Sequence, residues 1–211
     1  MNFPAQSDLE TALEQVRHVP AETAVHTRWV VLTGAPSAGK STVLDELARR
    51  GYTVRSEAAR AYMQELLATG VSLDKIVQDK AKLVREILSR TREVVEVADP
   101  ECPIVFDRSP TDVLAFAVVD GVDFRPLVRP CTQYRFAAAL VFEQTPFPRP
   151  ELTYHSVPEM HAVAAACRAI YGALHARMVN VPILSTDRCE SIERRVSIVE
   201  EEVSSTLTLD L

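Results

Sequence analysis

Short apolar runs alternate along this chain with longer stretches in which apolar residues recur every three or four positions. Short runs are typical of buried parallel strands, and the longer spacing is typical of amphipathic helices. The pattern predicts five strands, at about residues 28–33, 52–55, 104–107, 137–142 and 180–184. It predicts helices at about residues 8–19, 42–50, 56–69, 73–98, 113–119, 158–178 and 188–205. Strands that alternate with helices indicate an α/β fold built on a parallel sheet.

The first predicted strand runs into a segment framed by two glycines, and a predicted helix follows. The segment and the start of the helix read Gly34-Ala35-Pro36-Ser37-Ala38-Gly39-Lys40-Ser41-Thr42. This is the P-loop pattern G-x-x-x-x-G-K-[ST], whose backbone N–H groups surround nucleotide phosphates, so we expect these nine residues to bind ATP. Lys40 is expected near the β- and γ-phosphates, and the Ser41 hydroxyl is a candidate Mg²⁺ ligand.

Acidic residues follow the second and third predicted strands, and an arginine follows each of them. Glu57 and Arg60 come after the second strand, and Asp107 and Arg108 come at the end of the third. Ligands of open parallel α/β sheets bind at the carboxyl ends of the strands, so we expect these side chains to face the P-loop. Asp107 is a candidate Mg²⁺ ligand or acceptor of a hydroxyl proton. Both positions also fit a purely structural role at the N-terminus of the next helix. Glu57 could interact favourably with the helix dipole, and Asp107 could cap the helix.

The remaining segments divide the chain further. A proline-rich stretch, residues 143–157, follows the fourth strand and is predicted to be a lid. Its arginine, Arg149, is a candidate ligand of the nucleotide, although a solvated loop arginine fits as well. Residues 1–27 form a helical arm that could be a packing appendage, a homodimer contact or a frayed end. The kinase-like domain is predicted over residues 28–205 and a short tail over residues 206–211.

Charge, cysteine content and the lengths of apolar runs disfavour several classes of function. The net charge of −6 disfavours a general nucleic-acid-binding surface, because backbone phosphates attract positive charge. The four cysteines lack C-x-x-C spacing, which favours free thiols over a zinc or redox site. No apolar run reaches the length of a membrane span, and the N-terminus lacks the features of a secretory signal. These observations predict a cytoplasmic protein that acts neither on nucleic acid nor at a membrane.

Three segments together resemble a known family. They are the P-loop, the stretch S-E-A-A-R at residues 56–60 and the stretch F-D-R-S-P-T-D-V-L-A-F at residues 106–116. With them, residues 28–203 resemble the AAA-type predicted ATPase and kinase family that includes the ribosylnicotinamide kinase domain of NadR. The chain is similar, more loosely, to nucleoside and nucleotide kinases. The resemblance implies a P-loop NTPase fold: a five-stranded parallel sheet of order 2-3-1-4-5 with helices on both faces.

The resemblance also implies roles for individual residues. Glu57 and Asp107 would be the catalytic carboxylates, and Arg60 and Arg108 would bind the acceptor or a phosphate. Lys40 and Arg108 would assist catalysis by neutralising phosphate charge. Relatives often carry an acidic residue inside the P-loop and an Asp-x-x-Arg lid. This chain has Pro-Ser and Pro-Arg-Pro-Glu at those places, so the acceptor and the role of the lid stay open.

We therefore predict an ATP- and Mg²⁺-dependent kinase that transfers the γ-phosphoryl group to a hydroxyl of a nucleoside-like or other polar metabolite. Either catalytic carboxylate could be the base. The alternative is a regulatory switch that hydrolyses ATP slowly and signals to a protein partner; a binding-only protein is a third class. A GTPase is disfavoured, because the chain lacks an Asn-Lys-x-Asp motif. A kinase needs carboxylates and arginines that converge near the γ-phosphate, whereas a switch needs mobile loops and a partner surface.

Overall fold

The computed structural model of this chain describes residues 5–144, 154–183 and 187–206. Its helices within these residues are α1 (Ala5–Arg17), α2 (Lys40–Arg49), α3 (Ala58–Ala68), α4 (Leu73–Val77), α5 (Lys80–Glu96), α6 (Pro110–Val119), α7 (Val128–Cys131), α8 (Val157–Ala173) and α9 (Arg188–Thr206). Its strands within them are β1 (Val25–His26), β2 (Val30–Gly34), β3 (Val54–Arg55), β4 (Val105–Asp107), β5 (Tyr134–Arg135), β6 (Ala138–Phe142) and β7 (Arg177–Val181). Strands and helices alternate through most of the chain, so the predicted α/β class is confirmed.

Five of these strands form one parallel sheet in the order β3-β4-β2-β6-β7. Counted along the chain within this sheet, the order is 2-3-1-4-5, as the resemblance implied. The central strand β2 places Val31 opposite Phe106 of β4 on one side and Ala139 of β6 on the other. Every residue of β2 and β6 is buried, because helices cover both faces of the sheet.

Alternate residues of β2 pack into separate cores, as the two-residue period of a strand requires. Val30 and Leu32 pack with α2 and α9, in a cluster that also holds Val43, Leu47 and Val199. Val31 packs on the opposite face with Trp29, Phe106 and Tyr171. The P-loop at the end of β2 therefore rises from a strand that is fixed on both sides.

The N-terminal helix α1 packs on the helical layer of the protein. Ala12 and Val16 are buried in a cluster with Leu114 of α6 and Val163 of α8. Its neighbours are α6, α7 and α8. Of the three interpretations of the arm, packing on the domain is the arrangement that the structure describes, and a homodimer contact stays a prediction.

The structure corrects the predicted helix over residues 73–98, which is two helices, α4 and α5. Asp79 lies between them with φ −112° and ψ 78°, outside helical geometry. Its side chain accepts a hydrogen bond from the backbone N–H of Lys82 at 2.9 Å. An aspartate that caps a helix in this way starts a new helix rather than continuing the previous one.

The strands also differ from the prediction in two ways. The fifth strand of the sheet covers Arg177–Val181 rather than residues 180–184, because α8 ends at Ala173 and the chain turns at His175, whose φ is +55°. A separate parallel pair, β1 and β5, was not predicted at all. Both are two-residue strands, too short to show a periodic pattern.

All four cysteines are unpaired thiols, as predicted. Cys102 and Cys189 are exposed, whereas Cys131 and Cys167 are buried. Burial raises the pKa of both buried thiols, which disfavours their reactive thiolate form. Across the described ranges, no helix combines the length and the apolar character that crossing a membrane requires.

Candidate active site

A cavity of about 260 Å³ opens at the carboxyl ends of β2, β3 and β4, where ligands of this sheet were expected. The P-loop forms one wall, and the segments after β3 and β4 form the facing wall. The predicted site residues that line it are Pro36, Ser37, Ala38, Gly39, Lys40, Ser41, Thr42, Glu57, Arg60, Asp107 and Arg108. Gly34 and Ala35 are buried at the end of β2 and are not part of the lining. Arg149 and most of the predicted lid lie outside the described residues.

Backbone geometry explains the two glycines of the P-loop. Gly34 has φ +114°, and a Cβ there would lie 2.6 Å from the carbonyl oxygen of Phe142 on the neighbouring strand β6. Gly39 has φ +85° at the N-terminus of α2. Ser37, between them, also has a positive φ of 59°. A loop with this backbone, followed by a helix N-terminus, forms a concave site for an anion.

Lys40 is almost entirely buried at the start of α2, with 4% of its surface exposed. Its Nζ donates a hydrogen bond to the carbonyl of Ala35 at 2.8 Å. Burial, and then the charge of Arg108, lower the pKa of Lys40 from 10.5 to about 8, although Asp107 and Glu57 act in the opposite direction. A phosphate at this position would favour the charged form of the lysine and give it a second partner.

Ser41 and Asp107 contact each other directly across the cavity floor. The Ser41 hydroxyl donates to Oδ2 of Asp107 at 2.6 Å. Oδ1 of this aspartate, which is only 2% exposed, has no hydrogen-bond partner within the described structure. Burial raises the pKa of Asp107, and the charge of Glu57 adds to this effect, while Lys40 opposes it. A buried carboxylate oxygen without a partner, next to a hydroxyl, fits Mg²⁺, which prefers such oxygen ligands.

Arg108 connects the P-loop to the segment after β3. Its Nε donates to Oε1 of Glu57 at 3.0 Å, and its Nη1 donates to the Gly34 carbonyl and to Oδ1 of Asp112, each at 3.1 Å. The guanidinium lies 4.8 Å from the ring centroid of Phe116. Burial alone would lower the pKa of Arg108, but the carboxylates of Glu57 and Asp112 raise it above its ordinary value. The side chain is thus a fixed positive charge beside the P-loop.

The buried carboxylate of Asp112 is a site feature that the sequence did not single out. With Ser109 it forms a capping box at the start of α6. It also accepts hydrogen bonds from Thr33 Oγ1 at 2.6 Å and from the Tyr171 hydroxyl at 2.8 Å. These contacts join β2, α6 and α8 behind Arg108. Asp112 therefore holds the arginine in place in addition to starting the helix.

Glu57 lies between two arginines at the start of α3. Nε of Arg60 is 3.8 Å from Oε2 of Glu57, whereas Arg108 contacts Oε1. The wall beyond them is mainly apolar and comes from α3, α5 and α6. Its side chains include Met63, Val84, Ile87 and Phe116. This half of the cavity therefore combines one charged cluster with an apolar surface.

A second cluster closes the cavity near the start of α8, and no sequence signal marked it. Lys80 and the Tyr154 hydroxyl donate to Asp120 at 2.6 and 3.0 Å, and His155 Nε2 lies 3.3 Å from the same carboxylate. Tyr154 and His155 line the cavity, and the His155 ring packs against Phe116. Burial would raise the pKa of Asp120, but its hydrogen bonds to His155 and Lys80 lower it. The cluster attaches the chain before α8 to α5 and α6.

Helix α9 forms the part of the wall nearest the P-loop. Ser191, Ile192 and Arg195 line the cavity from this helix. Sequence reasoning missed Arg195, which is one of several arginines on an amphipathic helix and follows no motif. Its position beside the P-loop arises only from the packing of α9 against α2.

The sequence matches a family model, and the fold is similar to those of solved structures. A family model described as an AAA domain matches residues 29–190. The structure resembles NadR in complex with NR, with a TM-score of 0.62, 17% identity, and coverage of 98% of this chain and 60% of that chain. It resembles deoxyadenosine kinase from M. mycoides bound to dCMP and dCDP, with a TM-score of 0.60, 14% identity, and coverage of 84% and 99%. No curated protein sequence matches significantly. At these identities, the structural likeness establishes a shared fold.

Proposed function

Because this chain belongs to the AAA domain family and has the fold of P-loop kinases, we propose that it is an ATP- and Mg²⁺-dependent kinase. The proposed reaction transfers the γ-phosphoryl group of ATP to a hydroxyl of a nucleoside-like or other polar metabolite. One observation carries the proposal: the P-loop, two carboxylates and two arginines line the same cavity, namely Glu57, Asp107, Arg60 and Arg108. A nucleotide switch requires the P-loop but not this second set of groups.

The P-loop half of the cavity is the proposed ATP site. Its backbone N–H groups and Lys40 bind the phosphates, and the lysine contacts phosphate oxygens in addition to the carbonyl of Ala35. The Ser41 hydroxyl and the carboxylate of Asp107 would hold Mg²⁺. When bound, the ion supplies positive charge to the β- and γ-phosphate oxygens.

Glu57 is the proposed base for the acceptor hydroxyl. Asp107 is engaged by Ser41 on the P-loop side, whereas Glu57 starts α3 next to the wall of the acceptor half. Arg108 donates a hydrogen bond to the Glu57 carboxylate and orients it, and the charge of Arg60 lies 3.8 Å from its other oxygen. Glu57 would thus orient the hydroxyl and accept its proton as the bond to phosphorus forms.

Arg108 is proposed to neutralise charge on the group in transfer. Its contacts to Gly34, Glu57 and Asp112 hold it in place before any ligand binds. A fixed cation needs little reorganisation during the reaction, and phosphoryl transfer depends mainly on such positioning and electrostatics.

The lining of the acceptor half supports a ring-bearing, hydroxylated acceptor. Met63, Ile87 and Phe116 offer apolar surface to a ring, and Glu57 and Arg60 offer hydrogen bonds to hydroxyls. A nucleoside combines these two features. The likeness in fold to a deoxyadenosine kinase is in keeping with this choice.

The proposal is tested by ADP release from Mg·ATP, with and without a panel of nucleosides, sugars, nucleotides and hydroxylated antibiotics. We expect one compound to stimulate ADP release and to appear as its phosphorylated product in mass spectrometry. The Lys40→Ala variant is the control and should show no stimulation. A slow rate that no compound changes would contradict the kinase proposal and favour the regulatory switch.

A further inference from the structure

Side-chain donors hold four backbone carbonyls of the P-loop, and these donors come from four places in the fold. The pairs are Arg108 Nη1 with Gly34 O at 3.1 Å, Lys40 Nζ with Ala35 O at 2.8 Å, Gln144 Nε2 with Ser37 O at 3.4 Å and Arg195 Nη1 with Ala38 O at 2.6 Å. In a trans peptide the C=O and the following N–H point in opposite directions. Each held carbonyl therefore also fixes the direction of the next N–H group of the loop.

Arg195 makes the shortest of these contacts, from a helix 157 residues further along the chain. Its Nε also donates to the Pro182 carbonyl after β7, and its Nη2 donates to the Glu143 carbonyl after β6, each at 3.1 Å. The guanidinium lies 5.2 Å from the ring centroid of Phe142. One side chain thus joins the P-loop to the ends of two neighbouring strands.

Arg195 is also a buried cation without a direct ion pair among the described residues. The residue is 2% exposed, and no carboxylate of the described ranges lies within ion-pair distance of it. Burial lowers the pKa of Arg195, although the charge of Glu143 acts in the opposite direction. Neutral carbonyls accept hydrogen bonds from its Nε, Nη1 and Nη2, and Glu143 offsets its charge only from beyond ion-pair distance. Burying a cation in this way is costly, and a polyanion in the adjacent loop reduces that cost.

We propose that Arg195 is a positioning residue of the phosphate site. It holds the Ala38–Gly39 peptide in the orientation that presents the Gly39 N–H to a triphosphate, and it adds buried positive charge next to the loop. This inference rests on the proposed ATP site. Because three carbonyls occupy the guanidinium, its contribution goes to the phosphates rather than to recognition of the base.

The test compares Mg·AMP-PNP with magnesium tripolyphosphate, which has the phosphates but no base, by calorimetric titration. We expect Arg195→Met to raise the Kd of both ligands by a similar factor, about tenfold or more, since the charged donor to the Ala38 carbonyl and its positive charge are both lost. Arg195→Lys keeps the charge and should give a smaller rise for both. The matched control is Arg194→Met, because Arg194 is 53% exposed and pairs with Glu190 on the helix surface.

The binding of the two ligands to the Arg195 variants and to the wild-type protein decides between a role at the phosphates, a contact with the base and the absence of an ATP site. Unchanged affinity of Arg195→Met for both ligands would overturn the proposal, and so would weaker binding of AMP-PNP alone, which would indicate a contact with the base. If thermal unfolding shows that Arg195→Met does not fold, Arg195→Lys decides: weaker binding of both ligands supports the proposal, and unchanged binding overturns it. Failure of the wild-type protein to bind either ligand would instead contradict the proposed ATP site itself.

Discussion

Nε of Arg108 lies 3.0 Å from Oε1 of Glu57, so the arginine that follows β4 is held by the carboxylate that follows β3. The two residues are 51 positions apart in the sequence, and the parallel pairing of β3 with β4 brings them together. Arg108 also contacts the P-loop through Gly34. The pair therefore lies where the proposed phosphate and acceptor halves of the cavity meet.

Removal of the Glu57 charge should impair turnover more than nucleotide binding. We expect Glu57→Gln to lower kcat with the identified acceptor by about a hundredfold or more, because a positioned base contributes at least that much. The Kd of Mg·AMP-PNP should change little. Glu101→Gln is a suitable control, since that side chain is 64% exposed and pairs with Arg28 at a distance of 3.8 Å. Wild-type kcat in Glu57→Gln would remove Glu57 from the catalytic site.

The Asp107→Asn variant tests the proposed metal ligand. The amide keeps the shape of the side chain but removes the charge that would bind Mg²⁺ beside Ser41. We expect kcat/KM to fall by a factor that corresponds to several kcal/mol of activation free energy. The Mg²⁺ concentration for half-maximal activity should rise. Steady-state rates over a range of Mg²⁺ concentrations measure both. An unaltered Mg²⁺ dependence would show that Asp107 is not a ligand.

Burial of Lys40 should make stability depend on pH in the alkaline range. Its pKa is about 8 in the folded protein and 10.5 as its ordinary value, so the unfolded chain binds more protons between these pH values. Below about pH 8 the buried charge of Lys40 destabilises the folded state by its full amount. As the pH rises from about 8 to 10.5 this destabilisation is lost, so the free energy of unfolding increases. Without nucleotide, we expect Lys40→Met to raise the free energy of unfolding at pH 7 by an amount on the order of 3 kcal/mol.

Urea denaturation of wild-type protein and Lys40→Met at pH 7 and pH 10 measures this effect. The difference between the two proteins should shrink at the higher pH. The solvent-exposed Arg49→Met is a matched control on the same helix and should show no such pH dependence. An equal difference at both pH values would contradict the lowered pKa.

The buried contacts of Asp112 should matter for stability to different degrees. Asp112→Asn breaks a buried ion pair with Arg108 and should lower the free energy of unfolding by about 3 kcal/mol or more. Tyr171→Phe removes the hydroxyl that donates to the same carboxylate and also contacts the Ser109 hydroxyl, and it should cost less, about 1–2 kcal/mol. Chemical denaturation distinguishes the two, and equal losses would argue against the ion pair as the dominant contact.

The sequence predicted the parts of the site that follow strands directly. The P-loop has a spacing set by its backbone geometry, and Glu57 and Asp107 come at strand ends, which meet at one edge of any parallel sheet. The order of the sheet came from the family resemblance and is confirmed. These features depend on short stretches of sequence.

The features that were missed depend on contacts between distant segments. Arg195 reaches Ala38 across 157 residues, and an arginine on an amphipathic helix normally faces solvent. Asp120 gathers Lys80 and His155 from two other parts of the chain. The displaced β7 follows a turn with positive φ at His175, a position that glycine usually occupies at the end of a helix. None of these leaves a local pattern.

The most direct test of the central claim is the fate of the γ-phosphoryl group. With γ-¹⁸O-labelled ATP and the compound that stimulates ADP release, mass spectrometry measures how the label divides between the acceptor and inorganic phosphate. The account predicts that the wild-type protein places the label on an acceptor hydroxyl, and that Glu57→Gln and Asp107→Asn strongly reduce this transfer. Label found solely in inorganic phosphate, with every compound in the panel, would contradict a kinase and identify the cavity as a site of ATP hydrolysis.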